Sequence, residues 1–234
     1  MDFFKINNLN MLKNYVDHST LDDLNFALSY YAETGKIEFV KYLIEEIGID
    51  VQVNNNYPVR YTCGSGHIDI LKYLVEKGAD IHAARDHALL IASEYGHLQV
   101  VEFLVNNGCN VNCIDFMGHD NAPIRMACEY GYLDVVKFLF KKGANIRSCN
   151  DYAIRKSQNH PEVVNFLVEN GAPSNLIRSS RCKKYIEIYN KNKVRAQKKI
   201  YFWWIPICYD LNHPSGCGKR MAEKNYNAFL ELCK

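Results

Sequence analysis

The chain repeats itself, and this constrains its fold more than any single residue does. The segments GHIDILKYLVEKGADI (66–81), GHLQVVEFLVNNGCNV (96–111) and GYLDVVKFLFKKGANI (131–146) align without gaps. A divergent copy, GKIEFVKYLIEEIGID (35–50), precedes them, and a shortened one, HPEVVNFLVENGA (160–172), comes after. The leading glycines Gly35, Gly66, Gly96 and Gly131 are spaced by 31, 30 and 35 residues. The trailing glycines Gly78, Gly108, Gly143 and Gly171 are spaced by 30, 35 and 28. One period seen at two separate anchors means one supersecondary unit used several times.

Each copy reads as a pair of helices. In 96–111, Val100, Val101, Leu104 and Val105 recur at helical spacing, and Gly108 stands next, where the chain must turn left-handed to leave the helix. The preceding segment, 87–96, is a shorter helix whose Ala88 and Ala92 allow another helix to approach closely. No copy can bury its apolar face alone. The copies therefore stack, each covering its neighbour, into an all-α solenoid.

These residues resemble the ankyrin repeat. Tyr57-Pro58-Val59-Arg60, His87-Ala88-Leu89-Leu90 and Ala122-Pro123-Ile124-Arg125 stand where that family has Thr-Pro-Leu-His. Gly66-His67 and Gly96-His97 match its inter-helix turn, while Gly78-Ala79-Asp80 and Gly143-Ala144-Asn145 match its exit. The resemblance covers about residues 20–173 and implies about five helix-pair repeats. The chain departs from the family in two ways. Most copies are near 30 residues rather than about 33, which predicts short hairpin fingers. The last copy lacks its turn glycine, as a terminal copy can. The string from Ile200 to Asn225 is also similar to a C-terminal segment shared by ankyrin proteins of mimivirus-type giant DNA viruses.

The resemblance implies a non-catalytic protein-binding module, with first helices lining a concave groove. The outward residues just before the turn glycine are Glu33-Thr34, Gly64-Ser65, Glu94-Tyr95 and Glu129-Tyr130. Glu33, Glu94 and Glu129 with Tyr95 and Tyr130 would form an acidic, aromatic stripe suited to a basic protein partner. The competing reading is a solvated face whose tyrosines pack sideways. The longest spacing, Gly108 to Gly143, places Phe116 and Met117 at the tip of a long finger. There they either contact a partner or fold back on a neighbouring finger.

Charge divides the chain. Residues 1–173 carry 15 basic and 22 acidic side chains, and residues 174–234 carry 13 and 4. The expected organisation is an N-terminal helical cap at 1–20, the array at 21–173 and a basic, aromatic capping region at 174–234. In that region Cys182, Tyr185, Ile186 and Tyr189 share one helical face, which predicts a helix covering the last repeat. The run Ile200–Tyr209, with Trp203 and Trp204, is expected to be buried for the most part.

Lys183-Lys184 and Arg195 to Lys199 fit a bipartite nuclear-import pattern, provided the spacer between them is extended. The expected compartment is otherwise the inside of a cell, host cytoplasm first. The start of the chain carries no secretory signal, and nine cysteines without one read as reduced thiols. The longest apolar stretch is ten residues, interrupted by Pro206, too short for a membrane span. Alternatives to groove binding are an adaptor whose tail recruits cellular machinery such as a ubiquitin ligase, and a basic tail that binds nucleic acid. Cys208, His213 and Cys217 have zinc-ligand types but lack a Cys-x2-Cys pair, so no metal or other cofactor is expected. His213 to Arg220 superficially matches a phosphate loop but lacks its first glycine and its hydroxyl residue.

Overall fold

A computed structural model describes residue 6 and residues 8–208, with side chains as far as residue 197. Two compact units meet in sequence at Cys182 and Lys183. The first holds a leading helix α1 (Leu9–Val16) and five helix pairs. These are α2 (Leu21–Glu33) with α3 (Ile37–Glu45), α4 (Val53–Ser65) with α5 (Ile68–Glu76), and α6 (Ala83–Glu94) with α7 (Leu98–Asn106). Then come α8 (Ala122–Tyr130) with α9 (Leu133–Lys141) and α10 (Ser148–Lys156) with α11 (Pro161–Glu169). The first members form one row, each packed on the next, and the second members form a parallel outer row.

The period explains the packing. Leu28, Val59, Leu89, Ile124 and Ile154 stand at one register of the inner row and are essentially inaccessible. Leu43, Leu74, Leu104, Leu139 and Leu167 do the same in the outer row. Small residues (Ala32, Cys63, Ala92, Ala127) fill the seam, so the inner helices approach closely. The inter-helix glycines make the turn possible. Gly66 has φ +79°, and a Cβ there would run into the His97 ring of the next pair. Only glycine meets both demands. That ring donates its Nε2–H to the Gly64 carbonyl oxygen at 2.8 Å, tying one pair to the next.

The fingers differ from the expected short hairpins. No strand occurs among the described residues. In three pairs the inner helix opens on a kinked run of three left-handed residues: Asn54–Asn56, Ala84–Asp86 and Cys149–Asp151. Left-handed backbone costs an L-residue about 1–2 kcal/mol. The last residue of each run is Asn or Asp, types that tolerate it best. Two of these side chains accept a backbone N–H from the next exit turn: Asp80 N–H to Asn56 Oδ1 at 2.8 Å and Asn110 N–H to Asp86 Oδ2 at 3.1 Å. One such bond returns about 1 kcal/mol, so the remaining strain is carried by stacking of the whole array. With too few residues for a hairpin, the chain reverses by local strain.

The fourth pair has five more residues and forms the long finger instead. Asp115 N–H donates to the His119 carbonyl oxygen and Ala122 N–H to that of Cys113, both at 3.0 Å. Asn121 is the one non-glycine left-handed residue of this finger and keeps the ladder bond, accepting from Asn145 N–H at 2.7 Å.

Gln158, just past the last inner helix, anchors the segment that leaves α11. Its Oε1 accepts from Arg178 N–H (2.8 Å) and Ser179 N–H (3.0 Å), and its carbonyl oxygen accepts from the Cys182 thiol at 3.1 Å. Ile177 and Cys182 are buried there.

The second unit, described by itself, begins inside α12 (Ser180–Cys208). The predicted covered face is not continuous along it. Tyr185 and Ile186 are half-buried, but Ile188, Tyr189 and Val194 are exposed, and Tyr185 stacks on Tyr189 with ring centroids 6.4 Å apart. At one turn's spacing the two rings cover each other. The backbone between Lys184 and Arg195 is helical, so the extended spacer required by a bipartite import pattern is absent from this structure. The expected burial of the Ile200–Tyr209 side chains lies outside the described side chains, as do His213 and Cys217 altogether.

Candidate functional site

The inner row carries a shallow cavity of about 440 Å³ shared by α2, α4 and α6. Its origin is a missing side chain. Gly64 occupies the register that Glu33, Glu94 and Glu129 hold in other pairs, and a Cβ there would already press within 3.0 Å of Ile91 Cγ2. Glu33 and Glu94 flank the gap; Tyr57, Tyr61 and Tyr95 wall it; Arg60 and His87 lie at its base.

The electrostatics are mixed. The Arg60 guanidinium stacks 4.1 Å over the Tyr57 ring, and Arg60 Nε and His87 Nδ1 are buried with no hydrogen-bond partner. Burial, then the neighbouring Arg60 charge, hold the His87 imidazole below its ordinary pKa. The three wall tyrosines are each more than two-fifths exposed, so their rings present apolar faces and hydroxyls to solvent.

The predicted Glu–Tyr stripe is therefore divided. Glu33 and Glu94 share the cavity with Tyr95. Tyr130 is half-exposed, and its hydroxyl donates to Glu94 at 3.4 Å. The Glu94 carboxylate, first among the causes, raises the Tyr130 pKa. Glu129 is diverted from the stripe. It accepts from the Tyr152 hydroxyl at 2.6 Å and pairs with Lys156 at 3.5 Å. Burial and then Glu129 push the Tyr152 hydroxyl up to about 12.

The long finger comes to the same place. Phe116 and Met117 are 81% and 85% exposed, yet the Phe116 ring lies 4.5 Å from the His87 ring at the cavity base. Asp115 sets this posture. Its carboxylate accepts from Met117 N–H, His119 N–H and the His119 ring, and from Arg125 Nη2 at 2.6 Å. Arg125 is only 3% exposed. Burial alone would raise the Asp115 pKa, but the His119 amide and the Arg125 guanidinium outweigh it and hold it at about 2.

Of the residues that line the cavity, the sequence reading named Glu33, Glu94 and Tyr95 but not Tyr57, Arg60, Tyr61 and His87 as candidate contacts. A signal was present. Arginine recurs at 60, 125 and 155, one register of the repeat, in place of the family's histidine.

Comparison with known proteins agrees with the architecture. A family model described as ankyrin repeats, in three copies, matches residues 3–85 and 83–150. Among curated proteins, alpha-latrocrustotoxin-Lt1a of Latrodectus tredecimguttatus is 39% identical over 61 residues, covering 25% of this chain and 4% of the toxin. Two ankyrin repeat proteins of Acanthamoeba polyphaga mimivirus also match. R837 is 29% identical over 80 residues, 33% of this chain and 12% of that protein. L72 is 37% identical over 59 residues, 25% of this chain and 15% of that protein. The chain thus spans less than a sixth of each relative's length.

Proposed function

This chain belongs to the ankyrin-repeat family, and we propose that it acts without catalysis, holding a protein segment in the cavity of its inner face under the long finger. Ankyrin repeats generally serve as protein–protein interaction modules. The observation that carries the reading is the meeting of Phe116 with His87, which puts an exposed apolar tip beside the cavity flanked by Glu33 and Glu94. A partner would lay an apolar side chain against Phe116 and Met117. Its basic side chain would sit between the Glu33 and Glu94 carboxylates, over the tyrosine rings. Glu129, held by Lys156, would contribute less than its position in the repeat promised. The cysteines support a non-catalytic role. Burial pushes the Cys63, Cys109, Cys113 and Cys128 thiols up, away from the thiolate that a nucleophile needs.

Among the described residues no helix is long and apolar enough to cross a membrane. By its likeness to mimivirus ankyrin repeat proteins, the array is taken to work inside a cell, host cytoplasm before nucleus. The adaptor and nucleic-acid readings rest on the exposed Lys183, Lys184 and Arg195 of α12.

Affinity capture with three full-length baits tests the proposal: the native chain, Phe116→Ser with Met117→Ser, and Glu33→Lys with Glu94→Lys. Circular dichroism would first establish that each is folded. A protein retained by the first and lost by both others is the expected result. Partners held equally by all three would overturn groove binding, and partners lost only on removal of residues 183–234 would favour the adaptor.

A further inference from the structure

Repeat registers let each connection be compared with its equivalents, and one of them carries an unusual set of side chains. The left-handed turn that opens α6 ends in Asp86, with His82 four residues earlier. The chain leaving α7 returns beside it, bringing Cys109 and then Cys113. One donor atom each from His82, Asp86 and Cys109 lies within 4.8 Å of the other two.

The equivalent sites show what is special. The register of Asp86 holds Asn56 and Asp151 in two other short turns. Asparagine brings no charge. The Asp151 carboxylate has a permanent counter-charge, Arg147 Nε at 2.8 Å. Asp86 has instead the His82 ring, Nδ1 at 2.7 Å, which is charged only when protonated. The register of Cys109 holds Ala79 and Ala144, and that of Cys113 holds Ala83 and Ser148, so both thiols are additions at this seam alone. Cys113 Sγ lies 4.0 Å from the Asp86 carbonyl oxygen.

We propose that His82, Asp86 and Cys109 bind a divalent cation of the zinc class at the seam between the α6–α7 and α8–α9 pairs. An imidazole, a thiolate and a carboxylate form a mixed nitrogen, sulfur and oxygen set that suits zinc or cobalt and is too soft for calcium or magnesium. A tetrahedral zinc site has ligand–ligand edges of about 3.3–3.8 Å, so binding would open the His82–Asp86 contact from 2.7 Å and draw any wider pair in from at most 4.8 Å. The His82 side chain is half-exposed while Cys109 is buried, which gives the ion a path from solvent to an interior thiol. On binding, the cation accepts lone pairs from the ring nitrogen, the carboxylate oxygen and the sulfur. The Cys109 proton leaves to solvent, and no electron is transferred. The ion would pin the turn that opens α6 to the exit from α7, at the root of the long finger.

Cobalt(II) titration of the full chain under reducing conditions is the test, read by thiolate-to-cobalt charge-transfer absorption. Three substitutions use residues that the chain itself places at these registers: Cys109→Ala as at Ala79, His82→Gln as at Gln52, and Asp86→Asn as at Asn56. Folding should survive each, and circular dichroism checks it. The expected result is one cobalt per chain with a thiolate band, displaced by zinc, and about tenfold or greater loss of affinity in every variant. Absence of a thiolate band in the native chain would overturn the proposal. So would a band undiminished in Cys109→Ala, since it would then come from one of the other eight of the nine cysteines.

Discussion

The short turns and the long finger solve the same problem with different lengths of chain. Each must bring the backbone from the exit of one helix pair into the inner helix of the next. The turns at Asn54–Asn56, Ala84–Asp86 and Cys149–Asp151 do so with three consecutive left-handed residues. The finger from Cys113 to Asn121 spreads the reversal over a loop, with left-handed backbone only at Gly118 and Asn121. Two of the short turns and the finger end on the same hydrogen bond, an Asn or Asp side chain accepting from the next exit turn. What differs is how the arginine register is used. Arg125 is buried against Asp115 and fixes the finger. Arg60 has no finger carboxylate to meet; its Nη2 reaches only the Asn54 carbonyl oxygen at 3.4 Å, and its side chain lies at the base of the cavity. Five additional residues thus convert a structural turn into a projecting loop and supply the carboxylate that holds it.

The sharpest way to break this contrast is to remove both arginines separately. Arg125→Leu leaves Asp115 partly buried without its cation and should cost about 2–4 kcal/mol in urea unfolding. Arg60→Leu copies Leu90 and should cost about 1 kcal/mol or less. Equal losses would mean that the finger is not held by the buried pair. The shared ladder bond should show the opposite pattern. Asn56→Ala and Asn121→Ala each remove the acceptor of a backbone N–H, and each should cost about 1–2 kcal/mol in the same assay. A clear difference between them would show that the finger replaces the ladder rather than adding to it.

Acid separates the two regions again. Asp115 has a folded pKa near 2, below its ordinary 3.8. A lowered carboxylate pKa stabilises the folded form above the unfolded value, and that contribution is lost as pH falls through the folded one. Between pH 4 and 2 the Phe116 ring should therefore leave His87, as monitored by proton NMR of the Phe116 side chain, while the Asn56 turn keeps its amide shifts. Reciprocal glycine changes give a smaller effect. Ala84→Gly relieves a left-handed alanine and should raise stability by up to about 1 kcal/mol, whereas Gly118→Ala should lower it by a similar amount. The smallest change in stability is expected for Phe116→Ser with Met117→Ser. Both side chains are exposed, so unfolding should shift by no more than about 0.5 kcal/mol.

Much of this architecture was legible in the residues. Gly66 and Gly108 recur because the backbone is left-handed at each, and Leu74, Leu104 and Leu139 recur because each outer helix covers the next. Such features are local or repeat with the period, and a periodic requirement leaves a periodic sequence. The long finger was legible for the same reason, as an interruption of the period. The site was legible only at its rim. Glu33 and Glu94 are set by register, but the cavity between them exists because Gly64 lacks a side chain, and an absence in one copy gains meaning only when its neighbours are placed around it. Glu129 shares their register, yet the lysine that neutralises it comes from another helix pair.

Residue order alone specifies the helix pair, its number of copies, the turn positions and the one finger long enough to project. Packing in three dimensions makes the short turns left-handed rather than hairpins, leans Phe116 onto His87, and brings His82, Asp86 and Cys109 together. The reason is range. Apolar periodicity and the glycines of the inter-helix turns act between residues a few positions apart and are written into each copy, whereas contacts between residues 24 to 36 positions apart depend on how one copy stacks on the next.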